Sequence, residues 1–258
     1  MPGSAGKGIE ADESRDDGTV TENRTLEDVL KAGLNELGIS CEEETLDLFR
    51  RYYTILEEKN RQMNLTAVHG EAETARLHFL DCAAILPLLP SGPLTVLDVG
   101  SGAGFPGLVL KLLRPELSVT LLDSQKKRVA FQQEVCDALG LQGVTCLALR
   151  AEEAPAAMRE SYDVVVSRAV ARLNILAELC LPFVKPGGLF LSMKGPAAAE
   201  ELEECRKAFR VLGCEKASLL SCPVPGLDAG RWVVRAEKGS PTPEAYPRRF
   251  SQIKKQPL

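Results

Sequence analysis

The sequence has few of the residues that metal and redox sites need. It contains two histidines, His69 and His78, and its eight cysteines never form a C-x-x-C pair. A Cys/His metal site is therefore not expected, and scattered thiols of this kind fit a reducing compartment. No apolar run approaches the roughly 20 residues of a transmembrane helix, and the first residues lack the apolar core of a secretory signal. These absences predict a soluble, cytoplasmic protein without a bound metal.

The net charge of −5 hides an uneven distribution. Residues 1–47 contain thirteen acidic and four basic residues, whereas residues 231–258 contain seven basic and two acidic ones. The densest basic cluster consists of Arg248, Arg249, Lys254 and Lys255. This asymmetry suggests a C-terminal tail that contacts an anionic partner, but an ordinary solvated terminus has a similar composition. Charge alone leaves both interpretations open.

Hydrophobic patterning divides the chain into four parts. Residues 1–24 lack apolar periodicity and are predicted to be disordered, whereas residues 25–92 repeat apolar side chains at helical spacing. In residues 93–240 short apolar runs alternate with helical stretches, which predicts a parallel sheet covered on both faces. Residues 241–258 form the basic tail. The predicted strands are Thr95–Val99, Ser118–Leu122, Val144–Leu149, Asp163–Ser167, Leu189–Met193 and Arg231–Ala236, and the predicted helices between them include Gly107–Leu113, Lys126–Leu139 and Leu173–Val184.

A glycine-rich loop follows the first predicted strand, where Asp98 precedes the alternating glycines Gly100, Gly102 and Gly104. Glycines at the carboxyl end of a strand allow a tight turn and let a ligand lie against bare backbone. Gly102 to Gly107 also satisfies the dinucleotide fingerprint G-x-G-x-x-G, a weak match by itself. The preceding carboxylate suits a cationic ammonium group better than a pyrophosphate. The pattern D-x-G-x-G-x-G resembles motif I of the class I methyltransferases, which bind S-adenosylmethionine.

Later residues agree with this interpretation. Asp123 ends the second strand, where a carboxylate accepts hydrogen bonds from ribose hydroxyls, although it could also cap the following helix. Ala151 and Glu152 follow the third strand, where class I enzymes contact adenine. Arg168 stands at the carboxyl end of the fourth strand, beside the expected crevice. The sequence therefore predicts a Rossmann-like, doubly wound α/β methyltransferase domain with an N-terminal helical segment.

The residues after the fourth strand bear on the methyl acceptor. Amino-group methyltransferases usually carry a proline-proline-aromatic motif there, but this chain has Ser167-Arg168-Ala169-Val170. Neither Cys146 nor Cys180 has the position of the nucleophile in cytosine-C5 enzymes. Guanine N7 carries a lone pair and no proton, so its methylation needs neither a nucleophile nor a general base. Proximity and orientation can then supply much of the catalysis.

Several motifs in order give the chain a wider resemblance, which covers about residues 26–258. It resembles the RsmG (glucose-inhibited division protein B) family of 16S rRNA guanine-N7 methyltransferases. The matching motifs are Asn60-Arg61-Gln62-Met63-Asn64-Leu65-Thr66, His78-Phe79-Leu80-Asp81, the glycine loop Leu97–Gly107, Leu121-Leu122-Asp123-Ser124, Val166-Ser167-Arg168-Ala169 and Lys194-Gly195. Cys82 replaces the serine usual after the second motif, and Phe250–Ile253 replaces a usual glycine and proline in the tail.

The resemblance implies a fold, a substrate and a set of site residues. Gly100, Phe105, Ala151, Glu152 and Arg168 should line the S-adenosylmethionine site, joined by Asp123. The expected partner is 16S rRNA in the small ribosomal subunit, and the target is conventionally guanine 527. His78 could satisfy a buried polar group or contact RNA, and Asn64 could simply end a helix. A class I methyltransferase of small molecules and a non-catalytic RNA- or ribosome-binding protein remain the rival predictions.

Overall fold

The computed structural model describes residues 24–168 and 171–258. The predicted disordered tail, residues 1–24, therefore lies outside the described residues except for Arg24. A seven-stranded sheet in the order β3-β2-β1-β4-β5-β7-β6 forms the centre of the molecule. Its strands are β1 Thr95–Val99, β2 Ser118–Asp123, β3 Val144–Ala148, β4 Tyr162–Arg168, β5 Val184–Lys194, β6 Cys214–Ser221 and β7 Trp232–Lys238.

The first five strands run parallel, as predicted, and all six predicted strands are present. The prediction of a parallel sheet is nevertheless incomplete, because β7 runs antiparallel to both β5 and β6. The strand β6 was not predicted. It lies at the sheet edge with most of its side chains exposed or half-buried, so it lacks the apolar run that marks a central strand.

Helices cover both faces of the sheet. The predicted helices Gly107–Leu113 and Lys126–Leu139 have these same bounds in the structure, and the third ends earlier, at Cys180, before a 3₁₀ turn at Leu181–Phe183. The helices are α1 Leu26–Glu36, α2 Glu43–Met63, α3 Glu71–Thr74, α4 Asp81–Ala83, α5 Gly107–Leu113, α6 Lys126–Leu139, α7 Leu173–Cys180, α8 Ala198–Val211 and α9 Phe250–Lys255. A π-helical turn, Ala75–Leu80, joins α3 to α4.

The N-terminal helices pack on one face of the sheet and share its core. One hydrophobic cluster contains buried residues of α1, α2 and the π-helical turn together with residues of β1, α5 and α6. A second cluster, on the other face, contains residues of α7 and α8. Val96 belongs to the first cluster and its neighbour Leu97 to the second, as the alternation of a strand requires. The sheet is thus covered on both faces.

The order of the connections between strands creates a crevice at the carboxyl ends of the strands. From β1 the chain proceeds to β2 and β3 on one side, and then returns to β4 and β5 on the other. Ligands bind at such a switch point, beyond the carboxyl ends of the strands. In the part of the chain that the structure describes, no helix has the length and apolar character needed to cross a membrane.

Candidate functional site

A crevice of about 500 Å³ lies at the carboxyl ends of β1, β2 and β4. Seven of the nine predicted cofactor-site residues line it: Gly100, Gly102, Phe105, Asp123, Ala151, Glu152 and Arg168. Residues that the sequence did not single out also line it, among them Ser101, Ala103, Arg128, Leu149, Arg150 and Phe250. The structure therefore brings most of the predicted set together.

Asp98 and Gly104, the other two predicted residues, lie behind the crevice. Asp98 has no exposed surface, and its Oδ2 accepts a hydrogen bond of 2.8 Å from the amide of Gly107. Burial raises the pKa of Asp98 to about 7, against the hydrogen bond from Gly107 and the charge of Arg168. Asp98 thus ties the end of the loop to β1 and does not face the ligand space. A Cβ on Gly104 would lie 2.7 Å from the hydroxyl of Tyr52, so close packing requires this glycine.

Gly102 has the opposite surroundings. Its φ is +57°, and the nearest atom to a Cβ built on it would be a loop carbonyl oxygen at 3.9 Å. The backbone of the loop therefore faces open space in the crevice. The side-chain amide of Gln132 donates to the hydroxyl of Ser101 and to the carbonyl of Gly102, which fixes the loop from α6.

Asp123 connects this loop to the start of α6. Its Oδ2 accepts a hydrogen bond from the amide of Gly102 at 3.0 Å, and its Oδ1 accepts one from the amide of Gln125 at 2.8 Å. The second bond closes a turn at Gln125, the N-cap residue of α6, and no side chain among the described residues caps the helix, so Asp123 holds the turn before α6 and does not cap it. Two carboxylate oxygens offer about four acceptor positions, so this role leaves capacity for ribose hydroxyls.

An aromatic and cationic cluster forms the wall of the crevice opposite Asp123. The ring of Phe105 stacks on His78 at 4.7 Å, and the guanidinium carbon of Arg168 lies 5.1 Å from the Phe105 centroid. Nδ1 of His78 lies 3.2 Å from a guanidinium nitrogen of Arg168 and 3.0 Å from the carbonyl oxygen of Leu77, and Nε2 lies 2.7 Å from the hydroxyl of Thr66. Burial and the neighbouring Arg168 lower the pKa of His78 to about 4, so this imidazole is neutral.

Comparisons with known proteins identify the family. The family described as GidB, rRNA small subunit methyltransferase G, matches residues 45–226. This chain belongs to that family. Relatives named "Ribosomal RNA small subunit methyltransferase G" from Acetivibrio thermocellus and Alkaliphilus oremlandii are 41% and 42% identical, over 90% of this chain and 97% and 99% of theirs. The resemblance and the enzyme class predicted from the sequence are thereby confirmed.

A solved structure supports the fold class. The chain superposes on an S-adenosylmethionine-dependent O-methyltransferase from Thermotoga maritima with a TM-score of 0.51 and 17% sequence identity, over 73% of each chain. At this identity the likeness concerns the fold alone. It confirms the prediction of a class I methyltransferase fold.

The N-terminal motif of the methyltransferase G family has a clear structural role. Asn64 has a φ of +49° and ends α2 in the left-handed conformation, as the prediction of a helix-ending residue required. The side chain of Asn60 donates to the carbonyl of Thr66 and accepts from its amide, both at 2.9 Å. These bonds fold the chain back after α2. They place Thr66 against His78 at the crevice wall.

The second family motif provides an ion-pair junction that the sequence did not reveal. Asp81 binds Arg168 through Oδ2 at 3.1 Å and Arg231 through Oδ1 at 3.0 Å. Arg168 also donates to the carbonyl of Leu77. Asp81, the first residue of α4, thus connects the end of β4 to the residue before β7. The sequence did not indicate a role for Arg231, because its partner Asp81 lies 150 positions away in the chain.

The basic tail does not have the uniform exposure that its sequence suggested. Arg248 donates through Nε and Nη2 to Glu178, at 2.8 and 2.6 Å, and its amide donates to the same carboxylate. Glu178 is fully buried on α7, so Arg248 anchors the tail to the fold. The role of Arg248 in RNA contact stays a prediction, and its contact with Glu178 is a structural role that its charge alone did not indicate. Arg249, Lys254 and Lys255 are exposed, and α9 brings Phe250 into the crevice wall.

Proposed function

We propose that the protein transfers a methyl group from S-adenosylmethionine to N7 of a guanine in 16S rRNA of the small ribosomal subunit. The expected target is the guanine conventionally numbered 527. The proposal rests on the crevice at the switch point of the sheet. The open glycine loop, the carboxylate of Asp123 and the guanidinium of Arg168 lie together there. Family membership gives the reaction class.

The residues of the crevice fit S-adenosylmethionine. The open backbone at Gly102 would receive the methionine end, and Asp123 would accept from the ribose hydroxyls. Ala151 and Glu152, on the 3₁₀ turn after β3, would contact the adenine. Asp98 would act through the loop and not through direct contact, because its carboxylate is buried against Gly107.

The chemistry requires orientation more than proton transfer. When bound, S-adenosylmethionine supplies an electrophilic methyl carbon that accepts the N7 lone pair while the carbon–sulfur electron pair stays on sulfur. N7 loses no proton, and the product guanine carries the positive charge. The two nitrogens of His78 are engaged by Thr66 and Arg168, which suits a positioning residue better than a base. Placement of the two reactants can supply about 7–11 kcal/mol of the barrier.

RNA would approach over the exposed cations of the tail. Arg249, Lys254 and Lys255 lie next to Phe250, which lines the crevice. Lysine and arginine contacts to phosphates position a nucleic acid without reading its sequence. This role belongs to three of the four tail cations, since Arg248 is bound to Glu178.

The test is direct. Purified protein is incubated with S-adenosylmethionine carrying a labelled methyl group, together with small-subunit particles or with naked 16S rRNA, and the RNA is digested to nucleosides. We expect labelled 7-methylguanosine, and we expect Asp123→Ala to raise the Kd for S-adenosylmethionine about three- to tenfold. Transfer to small molecules alone would favour the first rival function. RNA binding without transfer would favour a non-catalytic protein.

A further inference from the structure

A second cavity, of about 600 Å³, adjoins the first at the His78–Arg168 pair, which lines both. It opens on the side of β5 and β7, away from the glycine loop. Its further lining residues include Leu77, Asp81, Lys194, Glu201, Arg231 and Trp232. None of these was assigned to the cofactor crevice, and volumes of this order hold small organic ligands.

Several hydrogen bonds fix the side chains at the boundary that the two cavities share. Arg168 makes hydrogen bonds to His78, to Asp81 and to the carbonyl of Leu77. Asp81 in turn binds Arg231, which lines the second cavity. A ligand in one cavity and a ligand in the other would therefore both lie against this fixed pair, and their reacting atoms could meet where the cavities adjoin. Such an arrangement suits a reaction between two bound molecules.

Two residues give the second cavity a defined chemistry. Trp232 is the single tryptophan of the chain and offers an aromatic surface there. Glu201 is held by the ammonium of Lys194 at 2.8 Å and by the amide of Leu173 at 2.7 Å, and both contacts are made to Oε2. The carboxylate thus has a fixed orientation, with Oε1 available to a donor.

A purine base with donors on its Watson–Crick edge complements these groups. Guanine presents N1–H and N2–H₂ to a carboxylate, whereas adenine presents the N1 lone pair, which a carboxylate repels. Aromatic side chains stack on extruded bases in enzymes that modify nucleic acids. In guanine, N7 lies on the side of the purine opposite the N2 amino group. A guanine held through that amino group at Glu201 would direct N7 away from α8.

We propose that the second cavity receives the extruded acceptor guanine, with its face against Trp232 and its N1–H and N2–H₂ groups donating to Glu201. The N7 edge then faces the His78–Arg168 pair at the place where the two cavities adjoin, and the methyl donor approaches this place from the first cavity. This inference rests on the proposed function and adds the residues that select the base. Trp232 and Glu201 are binding residues for the acceptor, and His78 and Arg168 position it.

The first experiment compares Trp232→Ala, Trp232→Phe and Glu201→Gln with the exposed neighbour variant Glu200→Gln. Calorimetric titration with S-adenosylmethionine shows whether each variant retains its fold and cofactor site. With 16S rRNA as substrate, we expect Trp232→Ala and Glu201→Gln to lower kcat/KM about ten- to a hundredfold. Trp232→Phe should keep most of the activity, and Glu200→Gln all of it. Wild-type kcat/KM in Trp232→Ala and in Glu201→Gln would overturn the proposal.

A second measurement distinguishes recognition of the base by Glu201 from a purely structural role of Glu201, because this residue also holds Lys194 and the start of α7. Inosine replaces the methylated guanosine in a synthetic rRNA, which removes the N2 amino group and keeps N7. We expect the wild type to prefer guanosine about tenfold and Glu201→Gln to lose this preference. An equal preference in both proteins would refute base reading by Glu201. Absence of methyl transfer by the wild type to either RNA would instead refute the proposed function itself.

Discussion

The two adjacent arginines of the tail offer a sharp test, because the structure gives them different partners. The side chain of Arg248 binds the fully buried carboxylate of Glu178 through two hydrogen bonds, whereas Arg249 is exposed. Replacing Arg248 by alanine removes both side-chain bonds and leaves a buried charge with only the bond from the Arg248 amide. Replacing Arg249 removes none of these contacts.

The expected loss of stability in Arg248→Ala follows from the two side-chain hydrogen bonds that are lost. Two hydrogen bonds to a charged group contribute roughly 3–6 kcal/mol, and removing one partner of a buried pair costs about 3–5 kcal/mol. A quarter of the Arg248 side chain is exposed, so water partly replaces it. We therefore expect Arg248→Ala to lower the free energy of unfolding by about 2–4 kcal/mol, and Arg249→Ala by less than about 0.5 kcal/mol. Urea denaturation followed by circular dichroism measures both.

The complementary measurement is RNA affinity as a function of salt. Replacing Arg249, Lys254 and Lys255 by alanine should flatten the dependence of log affinity on log salt by about two to three units, since each phosphate contact adds about one. Arg248→Ala should leave that slope unchanged where the protein remains folded. Equal stability of the Arg248→Ala and Arg249→Ala proteins would refute the conclusion that Arg248 anchors the tail to Glu178. A wild-type slope in the triple variant would refute the phosphate contacts.

Three further predictions concern the crevice. Gly102→Val should weaken S-adenosylmethionine binding roughly tenfold or more in calorimetric titration, while Gly38→Val, at a similar φ of +70° in open space, should leave it unchanged. Gly104→Ala should lower the free energy of unfolding by about 2–4 kcal/mol in urea titration, because its Cβ would meet a leucine methyl at 2.4 Å. Burial raises the pKa of Asp98 to about 7, so the contribution of Asp98 to stability falls as pH rises from 4 to 7. In denaturation at several pH values, the stability of the wild type relative to Asp98→Asn should therefore fall over this window. Unaltered affinity, stability or pH slopes would contradict the respective prediction.

The sequence allowed the parallel half of the fold to be predicted because that half follows local rules. β1, β2, β4 and β5 contain buried apolar runs, and the glycine loop and α5 follow β1 directly. Two elements of the other half escaped prediction for different reasons. The edge strand β6 exposes polar side chains, so no apolar pattern marks it. The helix α8 has buried residues at helical spacing, including Leu202, Cys205 and Phe209, so its apolar pattern does indicate a helix.

Site residues were predictable where they belong to one continuous motif. Gly100, Gly102 and Phe105 lie on one loop, and the loop itself faces the crevice. The position of Asp98 was not predictable, because its orientation depends on a hydrogen bond to Gly107, nine positions later. The role of Arg248 likewise depends on Glu178, which lies 70 positions earlier in the chain. The sequence around Glu178 predicts only an amphipathic helix. Charge composition cannot distinguish a surface cation from one paired with a buried carboxylate.

The same long-range pairing bears on whether the N-terminal helices form a separate domain. Arg168 and Arg231 both bind Asp81 of α4, so their common counter-charge comes from residues outside the sheet. Phe105 of the glycine loop packs against Tyr52 of α2 and against His78 and Phe79 of the π-helical turn. Removing the helices would leave Arg168 and Arg231 without Asp81. It would also expose the ring of Phe105, which is only 5% accessible in the structure. The cofactor crevice and the second cavity thus both depend on the N-terminal segment, which acts as part of the catalytic unit and not as an appendage to it.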